Sequence, residues 1–275
     1  MPKGKLRNRD LTEEDLAFLR ETVSPEIRNS SGLRRILQED EDFRKSYTGD
    51  EKVFRRVMEG EGIFLKISPA LFFEILLRRT AGDLEAAGYT IERERMLKIP
   101  VFDSREVVDL LAQEPILLYL ADMLASFTKV ESYTVPVRVG KGIWEKIRFN
   151  DLDVHSLKRF CDVVGEEDRL ALYKRIADIC LFILGIFPDY AERDNRYPFS
   201  GQLRPHIRRR FRISPEEYLK EGRKFYGMAA EHPSAKELEL TGVFEALRDH
   251  FPKAQKPLNF LAEHYLQYRR ERLFV

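Results

Sequence analysis

Helix boundaries are written into this chain more densely than any other signal, and they leave little room for a fold that is not helical. Thr12 precedes Glu13, Glu14 and Asp15, and Leu11 and Leu16 are spaced as a hydrophobic staple across that cap. Ser24-Pro25, Ser68-Pro69 and Ser214-Pro215 each set a capping hydroxyl before a proline at the first helical position, where no backbone N–H is needed. Asp103 with Glu106, Ser214 with Glu217 and Ser234 with Glu237 have the spacing of a capping box. Gly88, Pro115, Pro188, Pro233, Pro252 and Pro257 mark stops. Between these signs apolar residues recur at helical spacing, as in Leu258, Leu261, Ala262, Tyr265 and Tyr268. The pattern predicts helices near 12–22, 32–46, 50–59, 69–87, 104–113, 115–128, 154–164, 166–187, 215–231, 235–251 and 258–272. The fold class is mainly α.

One segment alternates instead. Tyr133, Val135, Val137 and Val139 are separated by Thr134, Pro136 and Arg138, and a Gly140-Lys141-Gly142 loop leads into Ile143–Phe149. This is the signature of a hairpin. Pairing Val139 with Ile143 also pairs Val137 with Glu145, Val135 with Ile147 and Tyr133 with Phe149, which gathers the apolar residues on one face. The other face carries Pro136, Arg138, Trp144, Lys146 and Arg148. Residues 89–102 read as a further extended segment of the same small sheet. The expected architecture is a multi-helix globular protein with a small β-hairpin, at about 132–149, between two helical regions. It reads as one compact domain, 1–275, with helical lobes at 1–131 and 150–275 on either side of the hairpin.

Composition narrows the class further. Hydrophobic residues make up 43% and aromatics 11%, enough for a packed core. Charged residues reach 34%, above the roughly 25% usual in soluble domains. With only five Asn and five Gln, that balance suggests a thermophilic source. Cys161 and Cys180 are too few for a disulfide framework and sit in apolar helical contexts. The basic N-terminus is followed by no apolar stretch, and Pro115–Phe127 and Ile176–Phe187 are too short to span a bilayer. The expected protein is soluble and cytoplasmic, with no membrane partner.

The net charge of +1 argues against a general polyanion binder and directs attention to local patches. The sharpest is Arg204, Arg208, Arg209, Arg210 and Arg212, with His206 among them. Guanidiniums are permanently charged planar forks, so a cluster either pairs with carboxylates or meets an anion. Asp189, Glu192, Asp194, Glu216 and Glu217 are near enough in sequence to be the internal partners. The helix start at Ser214 favours the anion reading, since free amides at a helix N-terminus attract negative charge. Residues 188–204 form the longest stretch without periodicity, and Tyr190, Tyr197 and Phe199 suit an ordered loop. The apolar tail, Leu273 to Val275, is expected to dock on the body or on a second subunit.

No phosphate-cradling glycine loop, dinucleotide fingerprint, nucleophile elbow or zinc-protease motif is present. The leading reading is therefore a non-catalytic binding or regulatory protein that takes a small anion or acidic protein partner through the arginine stretch. It implies no cofactor. The second is a nucleic-acid binder using Arg138, Lys141, Trp144, Lys146 and Arg148. That face resembles the wing of winged-helix proteins in charge and in having Trp144 beside cations. The helix before it, with Ile116, Leu117, Leu118, Leu120, Met123 and Leu124, lacks the polar side chains a groove-reading helix needs. The third is a metal-dependent hydrolase drawing on Asp151, Asp153, His155, Asp189, Glu192 and His206. Asp153 also suits an N-cap for the helix beginning at Val154, which would remove the metal geometry.

Overall fold

The computed structural model describes residues 11–27, 30–60, 62–94, 97–128, 132–140, 143–150, 153–162, 164–188, 213–267 and 269–274, and only the backbone of the strands at 132–140 and 143–150. The chain is mainly helical and divides into two compact units. The first is Met1–Ser126 with Glu263–Tyr265, and the second is Phe127–Ala262 with Leu266–Val275. The hairpin that marked the expected seam therefore belongs wholly to the second unit. No described helix is long and apolar enough to cross a membrane.

In the first unit the helices are α1 (Glu13–Val23), α2 (Ser30–Glu39), α3 (Glu41–Thr48), α4 (Glu51–Glu59), α5 (Pro69–Ala87), α6 (Ser104–Leu111) and α7 (Glu114–Ser126). The first capping box closes reciprocally: the Asp15 amide donates to Thr12 Oγ1 at 3.1 Å, and the Thr12 amide donates to Asp15 Oδ2 at 3.0 Å. Asp15 also accepts from the Ser68 amide at 2.7 Å, so one buried carboxylate ties the starts of α1 and α5 together. Apolar α5 is buried from Leu71 to Leu77, packs on α6 and α7, and ends at Gly88 with φ of +76°, the left-handed cap that glycine adopts without strain.

The single helix expected over 32–46 is two. Asp40 breaks it, because its carboxylate accepts from the Phe43 amide at 3.0 Å and starts α3 afresh. Residues 89–102 do not join the later hairpin. Among the described residues, strands β1 (Thr90–Glu94) and β2 (Leu97–Val101) pair with each other alone, from Thr90 opposite Val101 to Glu94 opposite Leu97. Asp103 precedes α6 as expected but makes no side-chain cap; its carboxylate accepts the Thr90 hydroxyl instead and pins the start of β1.

In the second unit β3 (Ser132–Gly140) and β4 (Ile143–Asn150) form the expected hairpin. Its register matches the sequence pairing at Tyr133–Phe149, Val135–Ile147 and Val137–Glu145. A bulge between Arg138 and Gly140 then sets Gly140, not Val139, opposite Ile143. The helices are α8 (Val154–Cys161), α9 (Arg169–Ile186), α10 (Pro215–Glu231), α11 (Pro233–Glu237), α12 (Thr241–Asp249), α13 (Phe251–His264) and α14 (Arg270–Leu273). The core is α9, buried from Ile176 to Ile186 and packed along α10. Gly222 allows that approach: a Cβ there would lie 2.4 Å from Phe251 Cε2 and 3.0 Å from Cys180 Cβ.

Three boundaries differ from the sequence reading here. The helix expected over 235–251 is interrupted where Glu239 takes φ of +58° and the Leu240 amide donates to Ala235 O at 2.8 Å, a left-handed closure made without glycine. Ser234 does not cap; with Pro233 first in α11 the cap falls to His232, whose Nδ1 accepts from the Ser234 amide at 3.2 Å. Its other ring nitrogen meets the Glu166 carbonyl at 2.8 Å, which assigns the proton to Nε2. Finally, Pro257 does not stop a helix, whereas α12 does end just before Pro252, at Asp249. Pro252 lies in the first turn of α13, where its missing N–H is harmless, and Pro257 lies inside it, buried.

Cys161 and Cys180 are both free and buried. Burial, reinforced by Asp162, pushes the Cys161 thiol up to about 11, and burial raises Cys180 further. Neither is a thiolate at neutral pH. Alkylation by iodoacetamide is expected to be far slower in the native protein than in denaturant, as mass spectrometry would record. A rapid native adduct on either residue would contradict this burial.

Candidate functional site

Arg204, His206, Arg208, Arg209, Arg210 and Arg212 lie outside the described residues, within the stretch 189–212. Described are the two ends between which that stretch runs. Asp178 of α9 bonds Tyr226 of α10, and Cys180 lies against Gly222, so the helices run antiparallel and both ends emerge at the same end of the pair.

The departing end is tightly held. Phe127 stacks on Phe182 with ring centroids 4.0 Å apart, and Phe187 and Phe274 meet Phe182 edge-on at 5.6 and 5.0 Å. Arg270 donates to Ile186 O at 3.0 Å, placing a cation on a terminal carbonyl of α9. The apolar tail thus docks on its own unit, with Leu273 and Phe274 buried. The returning end is capped by its own residues. Ser214 Oγ accepts the Glu217 amide at 3.2 Å, Pro215 has no N–H, and Glu216 and Glu217 bring two carboxylates to the first turn. An anion therefore gains less from this helix start than the sequence reading supposed.

Elsewhere arginine is used inwardly. In the first unit Arg44 grips Glu74 through Nε at 3.0 Å and Nη2 at 2.7 Å. Arg78 bonds the same carboxylate at 3.0 Å and reaches Glu114 at 3.0 Å. Glu74 is fully buried, and Arg44 and Glu114 nearly so. Burial works against the charge on Arg44, yet the Glu74 hydrogen bonds and charge hold it above its usual range. Sequence reasoning missed this network. The available signal was Glu74 itself, one acid in the apolar run Leu71–Leu77, four residues before Arg78. Nearer the surface Arg79 bridges Glu51 and Asp83 and covers the Phe54 ring, while Arg56 joins Glu21 and Thr22. In the second unit the fully buried Asp178 accepts from Lys174 at 2.6 Å and from the Tyr226 hydroxyl at 2.9 Å. These groups are balanced pairs inside packed helices.

Of the hydrolase candidates, Asp151, Asp189, Glu192 and His206 lie outside the described residues. Asp153 spends its carboxylate on α8, accepting from the amides of His155 at 3.0 Å and Ser156 at 3.3 Å and from the Ser156 hydroxyl at 2.6 Å. Among the described residues no group of three or more His, Cys, Asp or Glu is arranged to hold a metal ion. Of the nucleic-acid candidates, Lys141 lies outside the described residues. The ladder sets Arg138 opposite Trp144, Lys146 opposite Pro136 and Arg148 opposite Thr134. No protein family, curated protein or solved structure matches the chain, and its function is therefore read from its own residues.

Proposed function

We propose that this is a binding protein that takes an anionic ligand, a small anion or an acidic partner segment, through Arg204, Arg208, Arg209, Arg210 and Arg212. One observation carries the reading. Residues 189–212 hold seven arginines against three carboxylates, a net charge of +4 in a chain whose total is +1. The remainder therefore carries −3, and in the described helices cations repeatedly meet carboxylates. Supporting it, the excess lies on the segment between two helices packed on each other, α9 and α10, and binding residues often lie on the segments that join such elements. A planar fork matches phosphate or carboxylate in two-pronged fashion, which makes arginine the suited cation.

Ligand that binds only the folded state raises the unfolding temperature, by an amount that grows with ligand over Kd. Pyrophosphate, titrated at constant ionic strength, is expected to raise the melting temperature of the wild-type chain. Arg208→Ala combined with Arg210→Ala is expected to remove that rise. An equal rise in the double variant overturns the assignment. So does a wild-type protein that does not respond, which is the behaviour of arginines already satisfied by Asp189, Glu192, Asp194, Glu216 and Glu217.

A further inference from the structure

We infer that the β3–β4 ribbon is a contact surface for single-stranded nucleic acid, separate from the arginine segment and independent of its ligand. The register carries the argument. In an antiparallel ladder, directly opposed residues share a face and successive pairs alternate between faces. One set of pairs is Ser132–Asn150, Thr134–Arg148, Pro136–Lys146 and Arg138–Trp144. The other is Tyr133–Phe149, Val135–Ile147 and Val137–Glu145. The first face thus holds three cations and the chain's one tryptophan, while Glu145, the one acidic residue of the two strands, belongs to the second.

Such a division assigns the faces different work. The second, with five apolar residues of six, gains by being covered. Among the described residues no third strand joins this ladder, and β4 is followed directly by α8, which it contacts. The first face contains no acid of its own to pair its three cations, which makes it the less suited of the two to burial. Its charge complements a phosphate backbone. The register sets Trp144 across from Arg138, with Lys146 and Arg148 at alternate positions after it, so the tryptophan and a row of cations share one face of the ladder. That combination suits an unpaired strand, whose bases stack on aromatic rings while cations track its phosphates without reading sequence. A duplex keeps its bases stacked on each other and would use only the cations.

The single tryptophan makes the test direct. Titration of the full-length chain with oligothymidylate at low salt is expected to quench Trp144 fluorescence. The affinity should fall with salt by about 0.7 in log K per log salt for each phosphate neutralised, about 2 for three cations. Arg138→Gln with Lys146→Gln and Arg148→Gln should flatten that slope, and Trp144→Leu, read by anisotropy of labelled strand, should weaken binding about tenfold. Because the arginine segment can itself meet phosphate, the ribbon variants are also compared in the Arg208→Ala, Arg210→Ala background, where the Trp144 quench of the intact ribbon should persist. Circular dichroism melts of each variant separate lost binding from lost folding. No binding by folded wild-type protein at low salt, binding unchanged in the ribbon variants, or equal affinity for a duplex of the same length would each overturn the proposal.

Discussion

Replacing Glu74 with alanine is expected to destabilise the protein by about 3–5 kcal/mol, the cost of leaving a buried charge without its partner. Glu74 is fully buried on α5 and accepts both prongs of Arg44 and one bond from Arg78. Without it the Arg44 guanidinium, itself nearly buried, loses both of its bonds to Glu74 and remains in a packed interior. Arg78 retains Glu114. Glu74→Gln should also be costly, because an amide accepts through one oxygen only and carries no charge. The informative control removes both charges. Arg44→Met with Glu74→Met should recover most of the loss, since a buried ion pair and an apolar pair of similar volume have nearly the same stability. Urea unfolding read by circular dichroism measures each variant. A loss below about 1 kcal/mol for Glu74→Ala would mean that the network is hydrated or loosely formed.

Phe182→Ala is expected to cost about 3–5 kcal/mol, in the range of large-to-small changes at fully packed aromatic sites. Phe182 is 1% exposed and is the hub at which Phe127, Phe187 and Phe274 meet. Truncation would open a cavity on α9 and remove the seat of the C-terminal tail. It would also loosen Phe187, the last anchor before residues 189–212. Weakened anion response should therefore accompany the lost stability, whereas Glu74→Ala, in the other unit, should leave that response intact wherever the protein is still folded. Loss of stability below about 1 kcal/mol would contradict the packing around this ring.

Most of the helical frame was legible because it is encoded locally. A Ser-Pro pair can start a helix from its own residues, and α5 and α10 begin where Ser68-Pro69 and Ser214-Pro215 place them, but Ser24-Pro25 starts none: Ser24 closes α1 and Pro25 lies in a turn. The hairpin register was legible for the same reason: period-two alternation admits one pairing that keeps apolar residues together. What was not legible depended on competition or distance. Asp40 stood inside a periodic apolar pattern, and nothing local showed that capping α3 would prevail over extending α2. Glu239 adopts a left-handed turn with no glycine to announce it. Pro257 is tolerated inside α13 as a buried residue, a matter of tertiary packing. The Arg44–Glu74 pair joins helices thirty positions apart, so only the isolated acid in α5 hinted at it. The arginine cluster was plain in the sequence, and so was the cap of the helix after it, where Ser214 accepts the Glu217 amide as the Ser-Pro start and the Ser214–Glu217 spacing implied.

The account turns on whether the guanidiniums of Arg208 and Arg210 are available to an anion. Nitrogen-15 NMR of the arginine side chains during a pyrophosphate titration observes them directly. The account predicts saturable shifts in a small set of Nε–Hε signals, and those shifting signals should be missing from the spectrum of the Arg208→Ala, Arg210→Ala variant. Signals that do not move, or shifts that persist unchanged in the variant, would contradict it.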